Sequence, residues 1–177
     1  IDPPGAGSNR IFDKWIDGFA APATNGAVVG NNLPPYAERT VVHGGKQSMP
    51  YTYDTNLKFS EATLTLVSPR NWTAQGVTSL SLWFRGASTN AAERMYVALA
   101  NRTGAPAAAY HGEVNATKMA GWANWVIPLQ TFADLGVNLA DVDRIVIGFG
   151  TKGNTTAPGG TGKMYFDDLR LYRPTAP

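Results

Sequence analysis

Hydrophobic and polar residues alternate along most of this chain. Ser79-Leu80-Ser81-Leu82-Trp83-Phe84-Arg85 places Leu80, Leu82 and Phe84 on one side and Ser81, Trp83 and Arg85 on the other. That period of two is the mark of a strand with one buried face. Met95, Val97 and Leu99 alternate with Tyr96, Ala98 and Ala100, and Ala62, Leu64 and Leu66 with Thr63, Thr65 and Val67. Arg144–Phe149 and Met164–Tyr172 read as two more strands, and shorter ones are predicted near 41–43, 48–53, 108–111 and 122–128. Helix signals are confined to single turns at 129–135 and 139–142. Gly, Pro, Asn and Asp break the chain at short intervals everywhere else. Many short strands between such turns predict an all-β fold, an antiparallel two-sheet β-sandwich.

No internal repeat or shift of composition divides the 177 residues, so one domain over 1–177 is expected. Its first 40 residues are irregular, with a long surface loop or packed flap over 20–35. Residues 173–177 read as the start of a Pro/Thr linker, which suits a module of a larger multidomain protein.

Composition narrows the function classes. Fifteen basic residues against 13 acidic ones, a net charge of +2, leave little for a nucleic-acid patch. No apolar run reaches the ~18 residues of a membrane helix. With no cysteine there is no disulfide framework, thiolate metal site or cysteine nucleophile. The two histidines, His43 and His111, lack metal-ligand spacing, and there is no Gly-x-Ser-x-Gly. The glycine-rich stretch 148–153 follows a strand and leads into another loop, so it reads as a connection between antiparallel strands rather than a phosphate cradle. Scattered acids give no paired-carboxylate signal for a glycosidase. The chain is not expected to be an enzyme.

The aromatic content carries more information: 5 Trp, 7 Tyr and 7 Phe. Trp83 stands opposite Leu80, Leu82 and Phe84, so if those three fill the core, the indole faces outward beside Arg85. With Tyr96 on a neighbouring strand it makes a platform on which the C–H face of a sugar stacks, while polar side chains bond the hydroxyls. The competing reading is a loop that covers Trp83.

The closing strand, Lys163-Met164-Tyr165-Phe166-Asp167-Asp168-Leu169-Arg170-Leu171-Tyr172, holds two adjacent aspartates where Asp is normally depleted. Counting parity from Leu169 and Leu171 turns Asp167 inward, where its carboxylate requires a cation, an arginine or several N–H donors. Calcium is one candidate and loop amides are another.

Tyr165–Tyr172 closes an all-β chain in which Trp15-Ile16-Asp17-Gly18, Val42–Pro50, Tyr53-Asp54, Ser60-Glu61-Ala62, Trp72-Thr73, Leu80–Gly86, Trp122–Leu129 and Asp143–Gly150 follow in order. In that order and spacing the chain resembles the jelly-roll carbohydrate-binding modules of the galactose-binding-like superfamily, nearest to family 11. The resemblance implies a structural calcium and a polysaccharide or oligosaccharide held on a concave sheet face or at loop tips. It further implies a monomeric module of a secreted or cell-surface bacterial protein. On this likeness the sugar-contacting residues are Trp83, Arg85 and Tyr96, with His111 and Lys152 as peripheral donors. Calcium falls to Asp167 and to the loop containing Lys46, which matches the segment that lends carbonyls. Two departures stand out. The chain lacks the Asp-Asp-Phe-Glu motif of the family's first strand, and Val146, Gly148 and Gly150 occupy the glucan-facing side of their strand. The alternative is a structural or protein-interaction sandwich that has lost its sugar site.

Overall fold

The computed structural model describes residues 10–173. Ten strands form β1 (Trp15–Ile16), β2 (Val28–Val29), β3 (Met49–Asp54), β4 (Ser60–Thr65), β5 (Ser79–Arg85), β6 (Met95–Ala100), β7 (Ala107–Tyr110), β8 (Ala123–Pro128), β9 (Arg144–Phe149) and β10 (Thr161–Tyr172). They build two five-stranded sheets, the first ordered β1-β4-β9-β6-β7 and the second β2-β3-β10-β5-β8. Every strand pairing within the two sheets is antiparallel. From β3 onward the chain crosses between the sheets at every connection except β6–β7. This is the antiparallel sandwich the alternating pattern predicts.

The core is where the two inner faces meet. Leu80, Leu82 and Phe84 of β5 lie with Tyr51, Tyr53, Met164 and Phe166 of the second sheet, all at 4% exposure or less. Val97, Leu99, Ile145, Ile147 and Phe149 close from the first sheet, within the same limit. Phe149 stacks on Tyr53 at 4.5 Å and meets Tyr51 edge-on. The Tyr51 hydroxyl, enclosed by that packing, donates to Ile147 O. The short helix α2 (Leu129–Asp134) tucks Leu129 and Phe132 under one end.

Three local expectations change. Residues 41–43 form no strand but part of a loop that returns across the second sheet and re-enters it at β3. The glycine-rich 148–153 stretch leads from β9 in one sheet towards β10 in the other, so its strands are not paired neighbours. The irregular N-terminal region contains α1 (Ile11–Lys14) and the edge strands β1 and β2. Of that region, residues 1–9 lie outside the described residues, as does most of the expected linker, residues 174–177.

Candidate functional site

On β5 the parity is as the sequence predicts. Trp83 faces away from the core, aligned with Asp167 of β10 on one side and Asn124 of β8 on the other. Arg85 sits directly across from Tyr165. Lys163 occupies the same side two residues earlier, with its ammonium 5.4 Å from the Tyr165 ring. The outer face of the second sheet thus carries Trp83, Arg85, Tyr165, Lys163 and Asn124.

One face of Trp83 is not free. The His43 ring lies on it at 3.8 Å and 16° between planes, and Trp122 meets the imidazole edge-on. The loop that delivers His43 is latched at three points. Glu38 Oε1 accepts from the amides of Arg39, Thr40 and Val41 and from the Thr40 hydroxyl. Those bonds, led by the Thr40 hydroxyl, hold the Glu38 carboxyl at about 2. Asp167 Oδ2 accepts the amides of His43 and Gly44 at 3.0 and 3.1 Å. Asp168 Oδ2 lies 2.8 Å from His43 Nδ1, while Oδ1 takes Arg170. The His43 hydrogen bond first, and Arg170 after it, depress the Asp168 carboxyl below its ordinary range. Gly44 makes the approach possible, because a Cβ there would fall 2.4 Å from Asp168 Oδ2.

Asp167 therefore faces out, not in. Asp167 aligns with Trp83 but Arg170 with Ser81, so β10 carries one extra residue between those pairs. The extra residue is a bulge at Asp168, whose φ of +47° places it in the left-handed region. Parity resets there, which lets Leu169 and Leu171 pack on the core while Asp167 stays outside. Its oxygens are satisfied by N–H groups, Oδ1 by the Asp168 amide and Oδ2 by the two loop amides. Calcium would have to displace these donors, and the neighbouring Lys46 adds an exposed cation. No group of three or more His, Asp and Glu side chains that could hold a metal occurs among the described residues. The Asp167 carboxylate is thus met by loop amides. Excess chelator should leave the melting temperature unchanged in a thermal scan; a fall would show that a cation stabilises the fold.

Tyr96 belongs to the other sheet. It faces outward from β6, yet it is fully buried. Its hydroxyl donates to Glu61 Oε1 at 2.5 Å, and the Lys152 ammonium reaches the same oxygen at 2.6 Å. Burial, with the Glu61 charge beside it, drives the phenol far above the ordinary tyrosine range. The Lys152 amide donates to the Tyr110 hydroxyl, and the Arg94 guanidinium lies 4.0 Å over the Tyr110 ring. Gly148 is bare because Tyr96 fills the space beside it: an added Cβ would stand 2.3 Å from Tyr96 Cζ. His111 lies apart from both groups, wedged between Phe84 and Trp125, with Nδ1 accepting the Glu113 amide. Its burial lowers its pKa.

The five residues expected to touch sugar thus divide three ways. Trp83 and Arg85 share the second sheet, Tyr96 and Lys152 share the first, and His111 packs at the sandwich edge. Tyr165, Lys163 and His43, which sequence reasoning missed as site residues, join the Trp83 group. Tyr165 and Lys163 were findable from strand alternation in β10, whereas nothing local marks His43.

No protein-family model matches the chain, and no curated protein matches it. Solved structures do. The family 30 carbohydrate-binding module of a cellulosomal cellulase of Clostridium thermocellum is similar over 92% of this chain and 99% of its own, with a TM-score of 0.60 and 13% identity. A family 11 carbohydrate-binding module of the same organism, solved with a β-1,3-1,4-mixed-linked tetrasaccharide, is similar over 90% of this chain and 95% of its own. Its TM-score is 0.52 and its identity 15%. A β-1,2-glucanase from Parabacteroides distasonis shares the fold over 88% of this chain but only 24% of its own length, at a TM-score of 0.58 and 18% identity. The fold is that of the β-sandwich carbohydrate-binding modules.

Proposed function

We propose that this chain is a carbohydrate-binding module, a non-catalytic sandwich that holds a polysaccharide for a secreted bacterial protein of several domains. The observation that carries this reading is the end-to-end likeness to two such modules, each covered almost completely. The outer face of the second sheet supplies suitable chemistry. Tyr165 and Trp122 offer apolar ring surface, and Arg85, Asn124 and Lys163 offer donors for hydroxyls. Asp167 and Asp168 hold the His43 loop in place, a structural task that suits a binding surface better than an acid–base pair.

Native gels cast with soluble polysaccharides test the reading. At least one polysaccharide should retard the protein, and Tyr165→Ala should weaken the retention about tenfold, equivalent to about 1.4 kcal/mol. Tyr96→Phe, buried on the opposite sheet, should leave retention intact. A second reading rests on the imidazole that occupies Trp83: a sandwich that kept the fold for structure or protein contact. Gels in which no polysaccharide retards the folded protein would favour it.

A further inference from the structure

We infer that the polysaccharide held on the second sheet is anionic, bearing carboxylate or sulfate groups. The inference rests on the binding-module reading and concerns the same face. Its basis is an imbalance in how charges are paired there. Each carboxylate on the face and its loop is committed. Asp167 takes three amides, Asp168 takes His43 and Arg170, Asp54 takes Lys58 at 3.1 Å, and Glu38 takes four donors of its own loop.

The cations are treated differently. Among the described residues, Arg85 and Lys163 have no carboxylate within 4.0 Å, and neither has Lys46 on the His43 loop. Arg85 and Lys163 both belong to the surroundings of one ring, since Arg85 aligns with Tyr165 across the strands and the Lys163 ammonium lies over that ring at 5.4 Å. A tyrosine beside two cations that lack a carboxylate partner provides ring surface for a sugar and two positive charges next to it. A neutral glucan would use the ring and leave both charges without a partner. An acidic sugar uses all three, because hydrogen bonds between charged groups are stronger than neutral ones. The guanidinium fork of Arg85 suits a carboxylate or sulfate, whereas Lys163 acts as a point charge.

Affinity gels with agarose, a sulfated galactan, polygalacturonate and mixed-linkage β-glucan separate the possibilities, with single-stranded RNA as a non-sugar polyanion. Retention by the sulfated galactan or polygalacturonate, and not by agarose or β-glucan, is expected. Which of the two is preferred distinguishes sulfate from carboxylate. Arg85→Gln and Lys163→Gln should each raise the dissociation constant about tenfold, as expected for one lost hydrogen bond to a charged group. Lys14→Gln, an equal change of net charge on α1, should leave it within about twofold. Retention should vanish near ~1 M salt, where screening is effective beyond about 3 Å. Equal retention by agarose or β-glucan, unaffected by either variant, overturns the anionic class and leaves the module reading standing. Equal binding of RNA overturns it too, by showing unspecific charge attraction. Failure of every polysaccharide overturns both.

Discussion

Gly148→Val lowers the stability of this sandwich by about 3 kcal/mol, a loss typical of overpacking a filled site. Propensity argues the other way, because valine suits a strand and glycine weakens one. Packing decides. The Tyr96 ring lies where the new Cβ would stand, 2.3 Å from Cζ, and the ring cannot simply swing aside. Its hydroxyl is tied to Glu61, and Glu61 in turn holds Lys152. The melting temperature should fall by about 6–12 °C in a domain of this size. The double variant Gly148→Val/Tyr96→Ala checks the cause. Removing the ring opens the space, so the double variant should be clearly more stable than the sum of the two single losses predicts. Strict additivity would mean that the valine acts elsewhere.

Asp167→Ala releases the His43 loop at a cost of about 2 kcal/mol. Three N–H groups lose an ionised acceptor together, and bonds of that type are worth about 1.5–3 kcal/mol each, part of which water restores at a half-exposed site. The expected fall in melting temperature is about 4–8 °C. Asp167→Asn, which keeps one acceptor oxygen, should lose less. The more telling readout is indole emission. With the loop amides untied, His43 leaves the Trp83 face and that indole gains water, so the emission shifts to the red. Asp167→Ala combined with Trp83→Phe should show no such shift. If Trp83 itself forms part of the sugar surface, Asp167→Ala also strengthens polysaccharide retention, because it uncovers the ring.

Both positions lie where local alternation and tertiary packing meet. On β5, alternation placed Trp83 outside and Leu80, Leu82 and Phe84 inside, and the structure agrees. On β6 the same arithmetic turned Tyr96 away from the core, also correctly. It paired Tyr96 with Trp83, however, and the two lie on opposite sheets. On β10 the count went through Asp168 as if the strand were regular, and Asp167 came out on the wrong face. An Asp-Asp doublet in a strand was a signal for a bulge, since Asp tolerates the left-handed backbone that a bulge uses.

A period of two states which residues share a face, because successive side chains of a pleated strand leave on opposite sides. That physics is local, so the strands, their apolar faces and the sandwich they must form were written in the order of residues. Membership of a sheet, the cover that His43 lays over an indole forty residues away and the filling of the Gly148 gap by Tyr96 were not. Each depends on strands and loops meeting after the chain has crossed between layers, and closure of the core, rather than any nearby pattern, selects those meetings.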